Sequence, residues 1–124
     1  MPNPMPNSEV KHIKWDEIPT ESLNPLLDRQ IVVGDQMMVA RVLLKKDCAV
    51  PMHSHKNEQV TYVQSGALHF TIGGRELTVH AGEFLCIPPD VPHAAVALED
   101  TVDIDVFTPP RADWLNKSDD YLRR

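Results

Sequence analysis

The sequence predicts an all-β domain, a sandwich or a barrel, and three observations support this fold class. The chain of 124 residues has room for one domain with one hydrophobic core. From residue 31 onward, short runs rich in β-branched and aromatic residues alternate with turns of glycine, proline and aspartate. The links between these runs are only a few residues long, which favours an all-β architecture over strands alternating with helices.

The order of these runs predicts about eight or nine strands. The run IVV ends at the turn GDQ, after which MMVARVLLKK, QVTYVQ and ALHFTI follow. Gly73 and Gly74 separate ALHFTI from RELTVH, and because both residues tolerate a positive φ they predict a tight hairpin. The turn AGEF then leads to FLCI, HAAVAL and TVDIDVF, which complete the set.

The β-rich region is expected to carry a short extension at each end. Residues 1–30 are predicted to form an arm and a packing segment, residues 31–110 the barrel, and residues 111–124 a tail. The tail is expected to form one helical turn after the paired prolines, with Trp114 and Leu115 packing back onto the barrel.

Composition and charge disfavour several classes of partner. A net charge of −6 and a pI of about 5.4 argue against binding to nucleic acid or to an anionic membrane. No apolar run approaches the roughly 18–20 residues that span a bilayer, and the N-terminus has no signal-peptide pattern. Cys48 and Cys86 do not form a C-x-x-C motif, so we expect two buried thiols in a cytoplasmic protein.

The stretch PMHSHKNEQVTYVQSG indicates a metal site. His53 and His55 are two residues apart, so in extended backbone both imidazoles point to the same side. His93 follows GEFLCIPPDVP, a turn stiffened by prolines that fixes the direction of its ring. The remaining histidines are expected at the surface: His12, His69 and His80.

These residues resemble the two sequence motifs of the cupins, G-x5-H-x-H-x3,4-E-x6-G and G-x5-P-x-G-x2-H-x3-N. The first motif is matched here by Asp47, His53, His55, Gln59 and Gly66, and the second by Gly82, Pro88, Asp90, His93 and Ala97. The resemblance implies a cupin barrel, also called a double-stranded β-helix or jelly roll, that holds one metal ion. It also implies a homodimer, in which pairing covers sheet edges and an apolar sheet face.

The acidic position of the first cupin motif carries an amide in this chain. A slip of one residue turns a strand side chain to the opposite face, so Gln59 is the expected ligand and Glu58 is expected to face solvent. Three neutral imidazoles and an amide leave the charge of a divalent ion uncompensated, which makes the ion a stronger Lewis acid. The set is compatible with nickel, zinc, iron, manganese or copper.

The stretch VDIDVFTPPRADWL is the second informative pattern. Asp103, Asp105 and Phe107 share one strand face, and we expect them to border the lumen, although an exposed edge strand is an alternative. The opposite face is expected to belong to the core and consists of Val102, Ile104 and Val106. Arg41, inside an apolar run, faces either the lumen or the solvent.

A closer resemblance covers about residues 29–115. The segments NEQVTYVQSG, IPPDVPHAA with ALED, and DVFTPPRADWL are similar to the KdgF group of small cupins, which open the ring of 4,5-unsaturated monouronates. This resemblance implies a metal site and a catalytic group, formed respectively by His53, His55, Gln59 and His93, and by Asp105, Phe107 and Arg111.

The function predicted from this resemblance is metal-dependent ring opening and ketonisation of a small anionic sugar acid. Asp105 is expected to move the proton, Arg111 to clamp the substrate carboxylate in a bidentate fork, and Phe107 to shape the contact with the sugar ring. Two alternatives remain at this point, a cupin oxygenase and a barrel that binds a small carboxylate without catalysis.

Overall fold

The computed structural model describes residues 9–123, and its regular structure is almost entirely β-strand. The ten strands are β1 (Glu21–Asn24), β2 (Leu27–Val33), β3 (Met38–Leu44), β4 (Ala49–His53), β5 (Glu58–Ser65), β6 (Ala67–Ile72), β7 (Arg75–His80), β8 (Phe84–Ile87), β9 (His93–Ala97) and β10 (Thr101–Thr108). One short helix, α1 (Ala112–Leu115), and two 3₁₀ turns, Trp15–Glu17 and Asp120–Leu122, complete the description. The start of the predicted arm, residues 1–8, lies outside the described residues.

The strands form two antiparallel sheets that enclose one core. The larger sheet has the order β1-β2-β3-β10-β5-β8, and the smaller has the order β4-β9-β6-β7. Buried apolar side chains from both sheets meet between them, and these include Met38, Ala40, Val63, Leu68, Phe70 and Ile87. The all-β prediction is confirmed. No helix among residues 9–123 has the length and apolar character needed to cross a bilayer.

Strand β3 has the alternation expected of a strand with one buried face. Met38, Ala40, Val42 and Leu44 are buried, and the residues between them are half-exposed. Arg41 belongs to the half-exposed set, where its guanidinium lies 5.8 Å from the ring centroid of Trp15. Of the two orientations open for Arg41, the lumen is therefore wrong.

In strand β10 the apolar face does not lie in the core, where it was expected. Asp103, Asp105 and Phe107 are buried, as expected for a face that borders the lumen. The apolar residues that alternate with them were expected in the core, but they lie half-exposed on the outer face of the larger sheet: Val102, Ile104 and Val106. Asp105 can turn inward because Thr61 and Gln59 of the neighbouring strand β5 donate hydrogen bonds to its carboxylate.

The larger sheet begins before residue 31, where the first strand was expected. Strand β1 and the first half of β2 lie in the predicted packing segment, and Leu23 and Leu27 are part of the core. These segments contain few β-branched residues, so their propensity is weak and pairing with β3, such as Leu27 with Leu44, determines their conformation.

Aspartate replaces the motif glycine at two turns of the chain, and the backbone conformation shows why it is tolerated there. Asp47 and Asp90 adopt φ values of 74° and 66°, in the left-handed region where glycine is favoured and aspartate is one of the few tolerated alternatives. Gly66 retains the motif glycine because a Cβ there would lie 2.4 Å from Thr101 Oγ1. The hairpin at Gly73 and Gly74 is confirmed, with φ values of 55° and 77°.

The predicted structure of the tail is confirmed in part. The helical turn is present as α1, and Trp114 is buried, but Leu115 is 49% exposed rather than packed on the barrel.

Cys48 is buried as expected, whereas Cys86 is exposed. Cys86 lies on the outer face of β8, since its neighbour Ile87 takes the inward position at the end of that strand.

Candidate metal centre and lumen

Three of the four expected metal ligands meet at one end of the lumen. His53 ends β4 and His93 begins β9, and these two residues are directly paired across the smaller sheet. His55 follows two residues after His53 and brings a third ring to the same place. One nitrogen from each of the three rings lies within 4.8 Å of the others.

The hydrogen bonds of the three rings fix their tautomers. Nδ1 of His53 lies 2.8 Å from the carbonyl oxygen of Pro51, Nδ1 of His93 lies 2.8 Å from that of Val91, and Nδ1 of His55 contacts a carbonyl in the same way. A carbonyl oxygen only accepts, so each Nδ1 carries a proton and donates it. Each Nε2 is therefore left with a free lone pair, the form of imidazole that binds metals.

The same three rings are neutral at neutral pH. Burial lowers the pKa of His53 to about 4. Burial, together with the positive charge of Arg111, lowers the pKa of His55 to about 4. The pKa of His93 is lowered as well, again chiefly by burial. The cluster therefore offers lone pairs and does not carry positive charges that would repel a cation.

Gln59 completes the donor set from β5. Its Oε1 lies 3.1 Å from Nε2 of His55, and its Nε2 donates to Thr61 Oγ1 at 2.8 Å. Since His55 donates through Nδ1, two lone-pair-bearing atoms face each other, and a cation bound between them would resolve this conflict. Nε2 of His93 is buried without a hydrogen-bond partner among the described residues, which fits the same cation. Glu58 is exposed, as expected.

The donor atoms of this cluster match the ligand preferences of a transition metal. Neutral imidazoles with free Nε2 atoms and an amide oxygen suit a divalent transition ion rather than calcium or magnesium, which prefer sets made entirely of oxygen ligands. The donor set of His53, His55, Gln59 and His93 therefore fits one divalent ion of the predicted kind.

Asp105 is connected to this cluster through Thr61. The register of β5 and β10 places Asp105 opposite Thr61 and Phe107 opposite Gln59, so all four side chains point into the lumen. Thr61 Oγ1 donates to Asp105 Oδ1 at 2.7 Å and accepts from Gln59. The carboxylate thereby sets the direction of the amide, with the Gln59 oxygen turned toward the histidines.

A second buried carboxyl lies next to Asp105. Burial, and then the negative charge of Asp105, raises the pKa of Asp103 well above its usual range. Burial also raises the pKa of Asp105, but hydrogen bonds from Asp103 and Thr61 oppose this effect. Asp103 is therefore the member of the pair that releases its proton at the higher pH.

Arg111 is fixed on the same wall by the tail. Its Nε and Nη2 donate to the two carboxylate oxygens of Asp113, at 2.9 and 2.7 Å, and Nη2 also donates to the hydroxyl of Tyr121 at 2.7 Å. The guanidinium lies 5.1 Å from the ring centroid of Phe107 and 4.8 Å from that of Trp114. The fork expected to hold a substrate carboxylate is thus engaged by Asp113, and Nη1 makes no hydrogen bond within the described part of the chain.

One cavity brings the predicted residues together. Its lining includes His53, Gln59, His93, Asp105, Phe107 and Arg111. His55 reaches the same region, because its ring meets that of Phe107 edge to face at a centroid distance of 5.8 Å.

Four polar residues of this region were not predicted: Arg29, Thr61, Asp113 and Tyr121. Thr61 had a usable signal, because it follows Gln59 by two residues and must share its strand face. The others depend on how the tail folds onto β1 and β2, and no local pattern in the sequence encodes that contact.

Comparison with known proteins agrees with this geometry. The family model described as a cupin domain matches residues 40–107. The pectin degradation protein KdgF of Dickeya dadantii is 32% identical over 103 residues, which cover 81% of this chain and 94% of the relative.

Solved structures give the same result. KdgF from Halomonas sp. superposes with a TM-score of 0.80 at 27% identity, covering 86% of this chain and 99% of that protein. An RmlC-like cupin from Shewanella frigidimarina superposes with a TM-score of 0.79 at 28% identity, covering 85% of this chain and 96% of that one. The cupin prediction is therefore confirmed, and the chain belongs to the cupin family, in which it is similar to the small KdgF proteins.

Proposed function

We propose that this cupin is a metal-dependent enzyme of sugar-acid catabolism that opens the ring of 4,5-unsaturated monouronates and converts them to α-keto acids. The observation that carries the proposal is the composition of the lumen. One cavity is lined by a donor set for a divalent ion, a buried carboxylate and an arginine. Similarity to a pectin degradation protein supports the same substrate class.

The metal site in this proposal consists of His53, His55, Gln59 and His93. When bound, a divalent ion supplies Lewis-acid chemistry toward the oxygens of the substrate. The amide at position 59 adds no negative charge to the site, and a ligand set without a carboxylate favours this chemistry over the stabilisation of a higher oxidation state. The ring-opening reaction is accordingly preferred to an oxygenase reaction.

Asp105 is the proposed general acid and base. The hemiacetal hydroxyl of the substrate loses its proton as the bond between C1 and the ring oxygen breaks, which leaves an aldehyde at C1 and an enol at C5. The former ring oxygen takes up the released proton to form this enol. The enol then gains a proton on C4 as its hydroxyl releases one, which gives the keto acid, so the reaction is an isomerisation without any other reactant. Asp105 is 5% exposed and lines the cavity, and it carries the proton between these two positions.

Arg111 is the proposed anion-binding residue and Phe107 the residue that shapes the sugar contact. Since Asp113 engages Nε and Nη2, the substrate carboxylate is offered the Nη1 side of the guanidinium. Two buried carboxyls, at positions 103 and 105, would only weaken a site that does nothing but hold an anion. The catalytic proposal is therefore favoured over passive carboxylate binding.

The test combines metal analysis with an absorbance assay on purified 4,5-unsaturated monouronates. We expect about one divalent ion per chain and loss of the absorbance of the carbon–carbon double bond in the presence of protein. His93→Ala is expected to lose both metal and activity, whereas His80→Ala, which removes an exposed histidine outside the cluster, is expected to retain both. A metal-loaded wild-type protein that leaves the absorbance unchanged would refute the proposed reaction.

We assign the reaction to the cytoplasm. Both cysteines are free thiols, which fits a reducing compartment.

A further inference from the structure

The tail contributes a tyrosine to the lumen. The ring of Tyr121 stacks on that of His53, with a centroid distance of 4.7 Å and an interplanar angle of 28°. Its hydroxyl accepts a hydrogen bond from Nη2 of Arg111 at 2.7 Å. One side chain therefore touches both a residue of the proposed metal site and the proposed anion-binding residue.

A buried ion network holds this part of the tail in place. Arg29, which is 1% exposed, donates to Glu21 at 2.9 Å and to Asp119 at 2.5 Å. Arg123 joins the same two carboxylates, at 2.9 Å to Glu21 and 2.8 Å to Asp119. We call these four residues the tail latch. The latch ties the residues on either side of Tyr121 to β1 and β2, the strands that precede the matched cupin domain.

The hydrogen bonds of Arg111 explain why Tyr121 matters to the site. Asp113 alone fixes the plane of the guanidinium, but Asp113 is part of the same tail and is one-third exposed. The Tyr121 hydroxyl adds a second contact from the side that faces His53. Tyr121 therefore lies in contact with both the guanidinium and the histidine ring.

We propose that Tyr121 is a positioning residue that fixes the His53 ring and the Arg111 guanidinium relative to each other, with the tail latch holding it there. This inference rests on the proposed function for the identity of the anion that Arg111 binds. Its consequence is that the tail, which lies outside the matched cupin domain, sets the spacing between the metal site and the substrate carboxylate.

Two substitutions separate the contacts of Tyr121. Tyr121→Phe keeps the ring on His53 and removes the hydroxyl, whereas Tyr121→Leu removes both. The matched control is Tyr62→Phe, since Tyr62 packs against Phe84 on the outer face of the larger sheet. Affinity for Zn²⁺ is measured by chelator competition, affinity for galacturonate by calorimetry on the zinc-loaded protein, and kcat and KM on the unsaturated monouronate.

We expect Tyr121→Phe to weaken galacturonate binding and raise KM by about 10-fold, because a hydrogen bond to a charged group is lost, while zinc affinity stays unchanged. Tyr121→Leu is expected to weaken zinc affinity as well, by about 10-fold, because the His53 ring loses its support. Tyr62→Phe is expected to match the wild type in all measurements.

The latch is tested by Arg123→Gln, which removes its most exposed member and leaves the buried pair of Arg29 and Asp119 intact. We expect a smaller rise in KM in the same direction as Tyr121→Phe. Zinc affinity that is equal in Tyr121→Leu and the wild type would overturn the proposal, as would variants that change only the melting temperature. Failure of the wild type to turn over monouronates would refute the proposed function alone, because the zinc measurement still decides the role of Tyr121.

Discussion

Gln59 illustrates how a single side chain is oriented by residues that are not themselves metal ligands. Its amide could point either way, but the hydroxyl of Thr61 donates to Asp105 and so accepts from the amide nitrogen of Gln59. The amide oxygen is consequently turned toward His55. Asp105 thus contributes to the metal site through two hydrogen bonds, in addition to its proposed role in proton transfer.

Asp105→Asn separates these two contributions. The asparagine oxygen can still accept from Thr61, so the amide of Gln59 keeps its direction and metal content is expected to remain close to one ion per chain. Turnover is expected to fall by about 10²–10⁴-fold, the usual contribution of a general acid or base. Metal analysis and steady-state kinetics on the same preparation measure both, and unchanged turnover would remove Asp105 from the mechanism.

Asp103→Asn is expected to stabilise the protein at neutral and alkaline pH. Because burial and Asp105 raise the pKa of Asp103, its contribution to stability is fully present below about pH 4, where an unfolded aspartate is protonated, and is lost as pH rises through the raised pKa. The loss for one proton is limited to about 1.4 kcal/mol per pH unit. Asparagine resembles the protonated acid and does not titrate.

Urea unfolding of wild type and Asp103→Asn at several values of pH measures this effect. The wild type is expected to lose stability from mildly acidic to alkaline pH more steeply than the variant. Parallel curves for the two proteins would show that Asp103 holds no extra proton in the folded state.

At the scale of secondary-structure elements, the sequence predicts most of the strands. It does not predict which face of each strand is buried. Alternation and turn residues mark β3, β6, β7 and the hairpin at Gly73 and Gly74. In β10 the apolar side chains lie outside, because the inner face borders a cavity in which Thr61 and Gln59 donate hydrogen bonds to Asp105. Hydrophobicity alone assigns such a strand to the wrong face.

A part of the site could be predicted where it depends on residues that are close in the sequence. His53, His55 and His93 follow from spacing and turn chemistry, which are local properties of the sequence. The contact of Arg111 with Tyr121 arises only when the tail docks on β1 and β2, and it joins residues whose sequence separation carries no periodic signal.

The turn at Asp47 gives a test of backbone conformation. Its φ of 74° is left-handed, and its N–H donates to the carbonyl of Ala97 at 2.8 Å. Asp47→Gly is expected to leave stability equal or raised by up to about 1 kcal/mol, and Asp47→Ala to lower it by about 1 kcal/mol. Chemical denaturation of the two variants measures these opposite effects, and a more stable alanine variant would contradict the assigned conformation.

At the scale of the whole molecule, the outer face of the larger sheet carries a group of apolar side chains that are only partly covered. Its apolar residues include Val60, Tyr62, Phe84, Val102, Ile104 and Val106, and Phe84 is 65% exposed. A contiguous apolar face of this kind is typical of protein interfaces. We propose that two copies of the chain pair through it as a homodimer.

Ile104→Lys is expected to convert the dimer to a monomer, because a charge at the centre of the face cannot be buried between two copies without a partner. The control is Leu98→Lys, since Leu98 is 46% exposed in the connection between β9 and β10. Light scattering at micromolar concentration measures both. A monomeric wild type, or a dimer that survives Ile104→Lys, would contradict the pairing.

The burial of the three histidine rings, which lowers their pKa values, has a consequence for the thermodynamics of metal loading. Three ordinary histidines, with a pKa of about 6.5, would have to release roughly two protons when a metal binds at pH 6. Here His53 and His55 have pKa values of about 4, and the pKa of His93 is lowered too, so the site is already deprotonated at that pH. The measured heat of zinc binding at pH 6 is therefore expected to be the same in buffers with different ionisation enthalpies. A heat that depends on the buffer would mean that the rings are protonated before the metal binds.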